Sequence, residues 1–156
     1  MKDAPLFDET PRPALRLPDL SGRVALVTGT SLGIGRATAE ALLENGAIVH
    51  GLDFSDATIE HENFTAHTCD LRDAAALKAC VAACGESAGH LDYVVNIAGV
   101  DTKVSLDEGD AVAWQKIIDI NLRAYYLVLH ESVAWLRRGE GRSVVNVSSI
   151  NPQLGV

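Results

Sequence analysis

The 156-residue sequence lacks the features that mark several classes of protein. It has no block of basic residues and its net charge is −8, so nucleic-acid binding is not expected, because neutralising phosphates requires clustered Lys and Arg. No apolar run approaches the roughly 18 residues of a membrane span, and the N-terminus lacks the apolar core of a signal peptide. We therefore expect no nucleic-acid partner, no membrane attachment and a cytoplasmic location.

Cysteine is scarce, and histidine shows no ligand pattern. Cys69, Cys80 and Cys84 have no C-x-x-C spacing, and the last two lie in an Ala-rich helical pattern. They are expected to be small buried hydrophobic residues in a reducing compartment rather than disulfide partners or metal ligands. The five histidines are scattered along the chain and form no ligand pair, so no metal site is expected.

What the sequence does contain is the alternation of strands and helices typical of one globular domain. Four of the five prolines precede Ser21, so residues 1–21 are predicted to be an irregular arm and residues 22–156 the folded domain. The alternation indicates a parallel sheet with right-handed crossovers, a doubly wound α/β fold. The predicted strands are Val24–Val27, Ile48–Leu52, Thr65–Cys69, Leu91–Asn96 and Ser143–Val147, and the predicted helices are Ile34–Asn45, Ala74–Ser87 and Ala111–Arg138. Residues 55–62 have no helical stripe and could be a shortened crossover or a loop.

The most informative motif is the glycine-rich turn between the first strand and the first helix. Glycines let the backbone turn tightly and approach a ligand closely, and the start of a helix presents free N–H groups and a positive dipole end. This succession of strand, turn and helix is suited to binding the phosphates of a dinucleotide. The candidate cofactor-binding residues of this turn are Thr28, Gly29, Ser31, Leu32, Gly33, Ile34 and Gly35.

Asp53 ends the second predicted strand and bears on the choice of nucleotide. A carboxylate at this place can accept hydrogen bonds from both hydroxyls of an adenine ribose, and it repels a 2′-phosphate. Leu32 brings no positive charge next to Gly33, and the uncharged Phe54 follows Asp53. These positions favour NAD over NADP as the cofactor, and the alternative for Asp53 is a solvated carboxylate at a strand end.

The order Thr-Gly-x-x-x-Gly-x-Gly, from Thr28 to Gly35, differs from the common G-x-G-x-x-G fingerprint. It resembles the signature of the short-chain dehydrogenase/reductase family, and the resemblance runs from about Gly22 to the end of the chain. It implies a Rossmann-like fold and an NAD-dependent oxidoreductase that interconverts an alcohol and a carbonyl by hydride transfer. The implied partners are a small-molecule alcohol or carbonyl substrate and, for the complete enzyme, further copies of the chain.

The resemblance implies further cofactor-binding residues after the third and fourth strands. Asp70 and Leu71 occupy the family's adenine-contact position, although Asp70 could equally begin the following helix. The segment from Asn96 to Gly99 is similar to the family's N-N-A-G segment, with Ile in the second place. There Asn96 would hold neighbouring strand ends, while Ala98 and Gly99 would leave room for the cofactor ribose.

Two candidate catalytic residues follow. Asn121 lies on an apolar stripe of the third predicted helix, where an amide is costly to bury without partners. The resemblance gives it the family role of shaping a helix bend and anchoring a water near the catalytic lysine, and a satisfied core Asn is the alternative. Ser149 matches the family's catalytic serine and would hydrogen-bond the substrate oxygen, whereas Ser148 would be structural. A serine pair at a strand end is otherwise a common turn signal.

The family's Tyr-x-x-x-Lys motif, expected about a dozen residues after Ser149, is absent. No Tyr follows Tyr126 and no Lys follows Lys116. Without that pair, general acid–base catalysis of hydride transfer lacks its central group. We therefore expect the 156 residues to be an inactive N-terminal part of a longer enzyme, with a sheet that is incomplete on its C-terminal side. The alternatives are a non-catalytic dinucleotide-binding protein and an interaction module that uses the exposed sheet edge.

Overall fold

The computed structural model describes residues 18–101 and 107–149, which form a parallel sheet with helices on both faces. Neighbouring strands pair in parallel in the order β3-β2-β1-β4-β5, which confirms the predicted doubly wound α/β fold. Chain order reverses at β1, whose two neighbours are β2 and β4, and this reversal is where such sheets bind ligands. The strands are β1 (Val24–Thr28), β2 (Ile48–Asp53), β3 (Phe64–Thr68), β4 (Tyr93–Asn96) and β5 (Ser143–Asn146).

The first two helices, α1 (Gly33–Glu44) and α2 (Ala74–Ala88), lie within one residue of their predicted bounds. The Asp73 carboxylate begins α2 by accepting hydrogen bonds from the N–H groups of Ala75 and Ala76. Between β2 and β3 the chain forms no helix, so the loop alternative is correct for residues 55–62. Of the predicted irregular arm, residues 1–17 lie outside the described part of the chain.

The helix predicted from Ala111 to Arg138 runs from Ala111 to Leu136 and is interrupted by a π-helical turn. The structure has α3 (Ala111–Ile118), then a π-helical turn (Asp119–Arg123), then α4 (Ala124–Leu136). A π-helical turn widens the helix locally, and such turns occur frequently at functional sites. This one contains Asn121.

The apolar stripe that contains Trp114 and Asn121 is not covered by the described part of the chain. No residue of α3 is buried among the described residues, and Trp114 is 66% exposed. The stripe that packs on the sheet belongs to α4 and has an i, i+4 spacing. Its buried residues are Ala124, Val128, Ser132 and Leu136.

The core consists of two apolar clusters, one on each face of the sheet. Strand β1 is buried along its whole length, and its side chains alternate between the clusters. Leu26 packs with residues of α2 and α4, whereas Val27 packs with residues of α1. Strand β5 is at the sheet edge and is exposed throughout. In the part of the chain that the structure describes, no helix combines the length and apolar character needed to cross a bilayer.

Candidate functional site

A cavity of about 510 Å³ opens where β1, β2 and β4 reach their carboxyl ends. This is the edge at which open α/β sheets bind their ligands. Ten of the predicted site residues line it, namely Gly29, Leu32, Gly33, Ile34, Gly35, Asp53, Asp70, Leu71, Ala98 and Gly99. Five others lie outside the lining, namely Thr28, Ser31, Asn96, Asn121 and Ser149. The positive charges of Arg72 and Lys116, which sequence reasoning missed, also border the cavity.

The glycine-rich turn is packed closely against its neighbours. Gly29 has a φ of +81°, and an added Cβ would lie 3.0 Å from the Cα of Ala98. A Cβ on Gly35 would collide with the carbonyl group of Gly29. Both positions therefore require glycine, one for its backbone conformation and for space, the other for space alone.

The start of α1 carries no acidic or capping side chain. Leu32 occupies the N-cap position in an extended conformation and offers no side-chain acceptor, and the first turn contains no acidic residue. The backbone around Gly33 and Gly35 borders the cavity. Because the first N–H groups of a helix have no partner within the helix, this end of α1 is suited to binding an anion.

Asp53 is held at the cavity by the backbone of two loops. One of its carboxylate oxygens accepts a hydrogen bond from the N–H of Ser31 at 2.9 Å, and the other accepts one from the N–H of Ser55 at 2.9 Å. The Ser31 hydroxyl in turn donates to the Ser55 carbonyl at 3.2 Å. Each carboxylate oxygen keeps a second lone pair, so the side chain is fixed in place and can still accept hydrogen bonds from a ligand.

Asp70 does not begin the helix that follows it, because Asp73 takes that role. Its carboxylate instead forms an ion pair with Arg72, with a shortest N–O distance of 2.6 Å. The hydrogen bond from the Arg72 side chain lowers the pKa of Asp70. The pair places an anion and a cation together on the cavity wall beside the buried Leu71.

Thr28 joins the end of β1 to the loop after β4. Its side chain is fully buried, and its hydroxyl oxygen accepts hydrogen bonds from the N–H groups of Ile97 at 3.0 Å and Ala98 at 3.1 Å. These bonds hold Ala98 and Gly99 at the cavity. Sequence reasoning had placed Thr28 only in the glycine-rich turn and gave no signal of this contact.

Asn96 joins β4 to β5. Its amide nitrogen donates to the side-chain oxygen of Asn146 at 2.8 Å. The residue is fully buried, and its own amide oxygen has no hydrogen-bond partner among the described residues. The pair of amides therefore fixes the carboxyl ends of two adjacent strands relative to each other.

Asn121 is exposed rather than buried, yet both ends of its amide are used. Its oxygen accepts from the N–H of Val100, and its nitrogen donates to the carbonyl of Val100, each at 2.8 Å. This exchange ties the π-helical turn to the loop after β4, beside Gly99. Ser149 lies beyond β5 at the same edge of the sheet and is exposed.

Two of the histidines that are scattered along the sequence lie together in the fold. His50 on β2 and His67 on β3 bring their ring nitrogens Nδ1 and Nε2 to 3.1 Å. Burial, together with the nearby His67, lowers the pKa of His50 to about 4. Burial also lowers the pKa of His67, so both imidazoles are neutral at physiological pH. This pair lies on the sheet face that α2 covers, away from the cavity lining.

Comparisons with known proteins agree with this architecture. The pattern that defines the short chain dehydrogenase family matches residues 23–156. The short chain dehydrogenase ausX of Emericella nidulans is 39% identical over 133 residues, which cover 81% of this chain and 67% of that protein. The asnovolin H dehydrogenase nvfC of Aspergillus novofumigatus is 37% identical over 134 residues, which cover 81% of this chain and 51% of that protein.

Solved structures show the same likeness. The aldohexose dehydrogenase of Thermoplasma acidophilum superposes with a TM-score of 0.80 at 32% identity, covering 85% of this chain and 51% of that one. Carveol dehydrogenase from Mycobacterium avium, solved in complex with NAD, gives a TM-score of 0.77 at 28% identity, covering 88% of this chain and 58% of that one. The chain thus spans about half to two thirds of the length of these proteins. It belongs to the short-chain dehydrogenase family, whose members are oxidoreductases that bind a nicotinamide dinucleotide.

Proposed function

We propose that the protein containing these residues is an NAD-dependent oxidoreductase that interconverts an alcohol and a carbonyl group on a small molecule. One observation carries the proposal: the Asp53 carboxylate and the uncapped start of α1 border the same cavity. When bound, the nicotinamide ring would supply or accept the hydride. The chain itself would bind the cofactor, select its type and orient the substrate.

The residues present fit such a cofactor. The first turn of α1 and the close-packed glycines offer N–H groups and space for a pyrophosphate. The carboxylate of Asp53 would accept hydrogen bonds from the adenine ribose, and Asp70 with Leu71 would contact the adenine. The backbone at Ala98 and Gly99, held by Thr28, would leave room for the second ribose.

The same residues favour NAD over NADP in this proposal. A 2′-phosphate on the adenine ribose would face the fixed Asp53 carboxylate, and two anions at contact distance repel each other. Of the two cations that line the cavity among the described residues, Arg72 is already paired with Asp70. Its charge is therefore partly neutralised, which weakens its attraction for an added phosphate.

Titration of the protein with NAD and with NADP tests this selection. We expect NAD to bind at least about tenfold more tightly, which corresponds to about 1.4 kcal/mol. Asp53→Ala should narrow the difference, because it removes the repelling carboxylate. Asp56→Ala is the matched control, since it removes the same charge from an exposed position three residues later. Equal affinities for the two nucleotides, or an unchanged ratio in Asp53→Ala, would refute the assignment.

For the chemical step, we propose that Ser149 hydrogen-bonds the substrate oxygen and that Asn121 anchors a water molecule near the catalytic lysine of the complete enzyme. The 156 residues as printed contain no Tyr-x-x-x-Lys motif after Ser149, so we propose that they show no appreciable hydride transfer on their own. A panel of ketones and alcohols, followed by NADH absorbance, checks this prediction. Turnover at ordinary enzyme rates would show that another residue supplies the proton.

We also propose that the complete enzyme is a cytoplasmic homo-oligomer, with residues 22–156 as its NAD-binding Rossmann-like part. Light scattering with size-exclusion chromatography checks the assembly. If a protein expressed from the whole reading frame binds NAD but turns over no substrate, the non-catalytic alternative gains support.

A further inference from the structure

We propose that His50, His67 and Cys84 form a binding site for one Zn²⁺ ion, which joins β2, β3 and α2. The site is separate from the nucleotide cavity and independent of the proposed reaction. One ligand atom from each residue lies within 4.8 Å of the other two. Imidazole nitrogen and thiolate sulfur are ligands that zinc prefers in proteins.

The three side chains come from elements with fixed relative positions. Strands β2 and β3 are paired in parallel, with Leu52 opposite His67, so His50 lies two residues before the partner of His67 on the same sheet face. Helix α2 covers this face and packs Cys84 into the core. Because two ligands belong to one sheet ladder, the site is largely organised before any ion binds.

The tautomer of His50 leaves the correct nitrogen free for a metal. The Ser87 hydroxyl lies 3.4 Å from Nε2 of His50 and donates to the Cys84 carbonyl at 3.0 Å. Because the Ser87 hydroxyl donates its only proton to that carbonyl, it can only accept a hydrogen bond from Nε2 of His50. His50 therefore carries its proton on Nε2. Its Nδ1 then has a free lone pair directed at Nε2 of His67. An oriented second nitrogen of this kind is typical of metal-binding histidines.

The distances require little movement. Tetrahedral zinc with bonds of about 2.0–2.1 Å to nitrogen and about 2.3 Å to sulfur places two nitrogens about 3.3 Å apart and a nitrogen and a sulfur about 3.6 Å apart. Nδ1 of His50 and Nε2 of His67 are now 3.1 Å apart, and the sulfur lies within 4.8 Å of one nitrogen of each ring. A small opening of the histidine pair and a shift of about 1 Å by the thiol complete the geometry.

Proton balance is straightforward. Burial raises the pKa of the Cys84 thiol to about 12, so the free side chain is protonated. Without metal, Nε2 of His67 carries the proton that it donates to Nδ1 of His50. On binding, this proton moves to Nδ1 of His67 by exchange with solvent, His67 binds through Nε2, and the Cys84 thiol releases its proton to solvent as its sulfur bonds to the ion. The half-buried ring of His67 and the exposed Ser87 place this site next to solvent, which supplies the fourth ligand as water.

The other two cysteines provide a contrast, because Cys80 lies in the same helix and Cys69 directly follows β3. The Cys69 and Cys80 thiols interact with each other, and Cys80 precedes Cys84 by one helical turn. Cys80 is not part of the three-ligand group. A Cys80→Ser variant therefore removes a neighbouring thiol and leaves all three proposed ligands in place.

The test is a zinc titration of the full chain after treatment with a chelator, in competition with a chromophoric zinc indicator. We expect saturable binding of about one ion per chain. We expect affinity to fall at least about tenfold in His67→Gln and in Cys84→Ala. It should stay unchanged in the controls Cys80→Ser and His130→Gln.

Cobalt(II) provides a second readout that does not depend on the folding of any variant. Bound at this site, it should show the intense visible bands of a tetrahedral complex and a near-ultraviolet thiolate-to-metal band. The absence of saturable zinc binding would overturn the proposal. So would unchanged affinity in a folded His67→Gln variant, or a cobalt spectrum of the unsubstituted chain with no thiolate band.

Discussion

Replacing Thr28 by Val tests how the end of β1 positions the cavity wall. Valine has nearly the same shape as threonine but offers no acceptor to the N–H groups of Ile97 and Ala98. The Thr28 side chain is fully buried, so in the valine variant no water molecule can occupy the position of the lost hydroxyl. The variant therefore removes two hydrogen bonds and adds no bulk.

The expected cost follows from the two donors left without a partner. An unsatisfied buried polar group costs about 1–3 kcal/mol. Ile97 and Ala98 are only half-buried, which lets water reach part of this loop, so we take the low end for each. We expect Thr28→Val to lower the free energy of unfolding by about 2–3 kcal/mol.

Urea unfolding measures this loss, with Thr28→Ser as the matched control. Serine keeps the hydroxyl and loses one methyl group, which costs about 1 kcal/mol. Because the same bonds hold Ala98 at the cavity, Thr28→Val should also weaken NAD binding more than Thr28→Ser does. A valine variant as stable as the unsubstituted protein, or a serine variant as unstable as valine, would refute the reasoning.

Two further predictions concern stability. Burial by itself raises the pKa of Asp92, but hydrogen bonds from the N–H groups of Gly141, Val24 and Glu140 outweigh it and hold the value at about 2. This stabilisation, about 2 kcal/mol, is present above the ordinary value of 3.8 and is lost as pH falls towards 2. The urea midpoint of unfolding should therefore fall as the pH is lowered across this range, and it should fall less steeply in Asp92→Asn. The same pH dependence of the midpoint in the variant and the unsubstituted protein would argue against this role of Asp92. An added Cβ at Gly85 would collide with the Trp135 ring, so Gly85→Ala should lower the thermal midpoint and cost about 1–3 kcal/mol. Gly89→Ala, where the Cβ meets open space but φ is +79°, separates this collision from backbone strain, and a larger loss at Gly89 would contradict the packing argument.

The strands and the first two helices could be predicted because their periodicity reflects which face each segment buries. The nucleotide cavity could be predicted because strand ends of a parallel sheet meet at one edge, so Gly29, Asp53 and Ala98 had to converge. The start of α2 at Ala74 was predicted correctly, and only its capping residue was left open, since Asp73 directly precedes the Ala-rich run and Asp70 does not.

Other features have no local sequence signal. The π-helical turn at Asn121 adds a residue to a helix without changing the composition around it. Its contact with Val100 joins segments 21 residues apart in sequence. The histidine pair could have been found only by aligning two strands, because His50 and His67 meet through the parallel pairing of β2 with β3. The apolar stripe that contains Trp114 is exposed, because such a stripe shows which residues share a face but does not show what covers that face.

The most direct test of the central claim is a crystal structure of the protein with NAD bound. Our account predicts the pyrophosphate at the first turn of α1, beside Gly33 and Gly35, and both adenine-ribose hydroxyls within hydrogen-bond distance of the Asp53 carboxylate. A nucleotide bound elsewhere, or an adenine ribose directed away from Asp53, would contradict it.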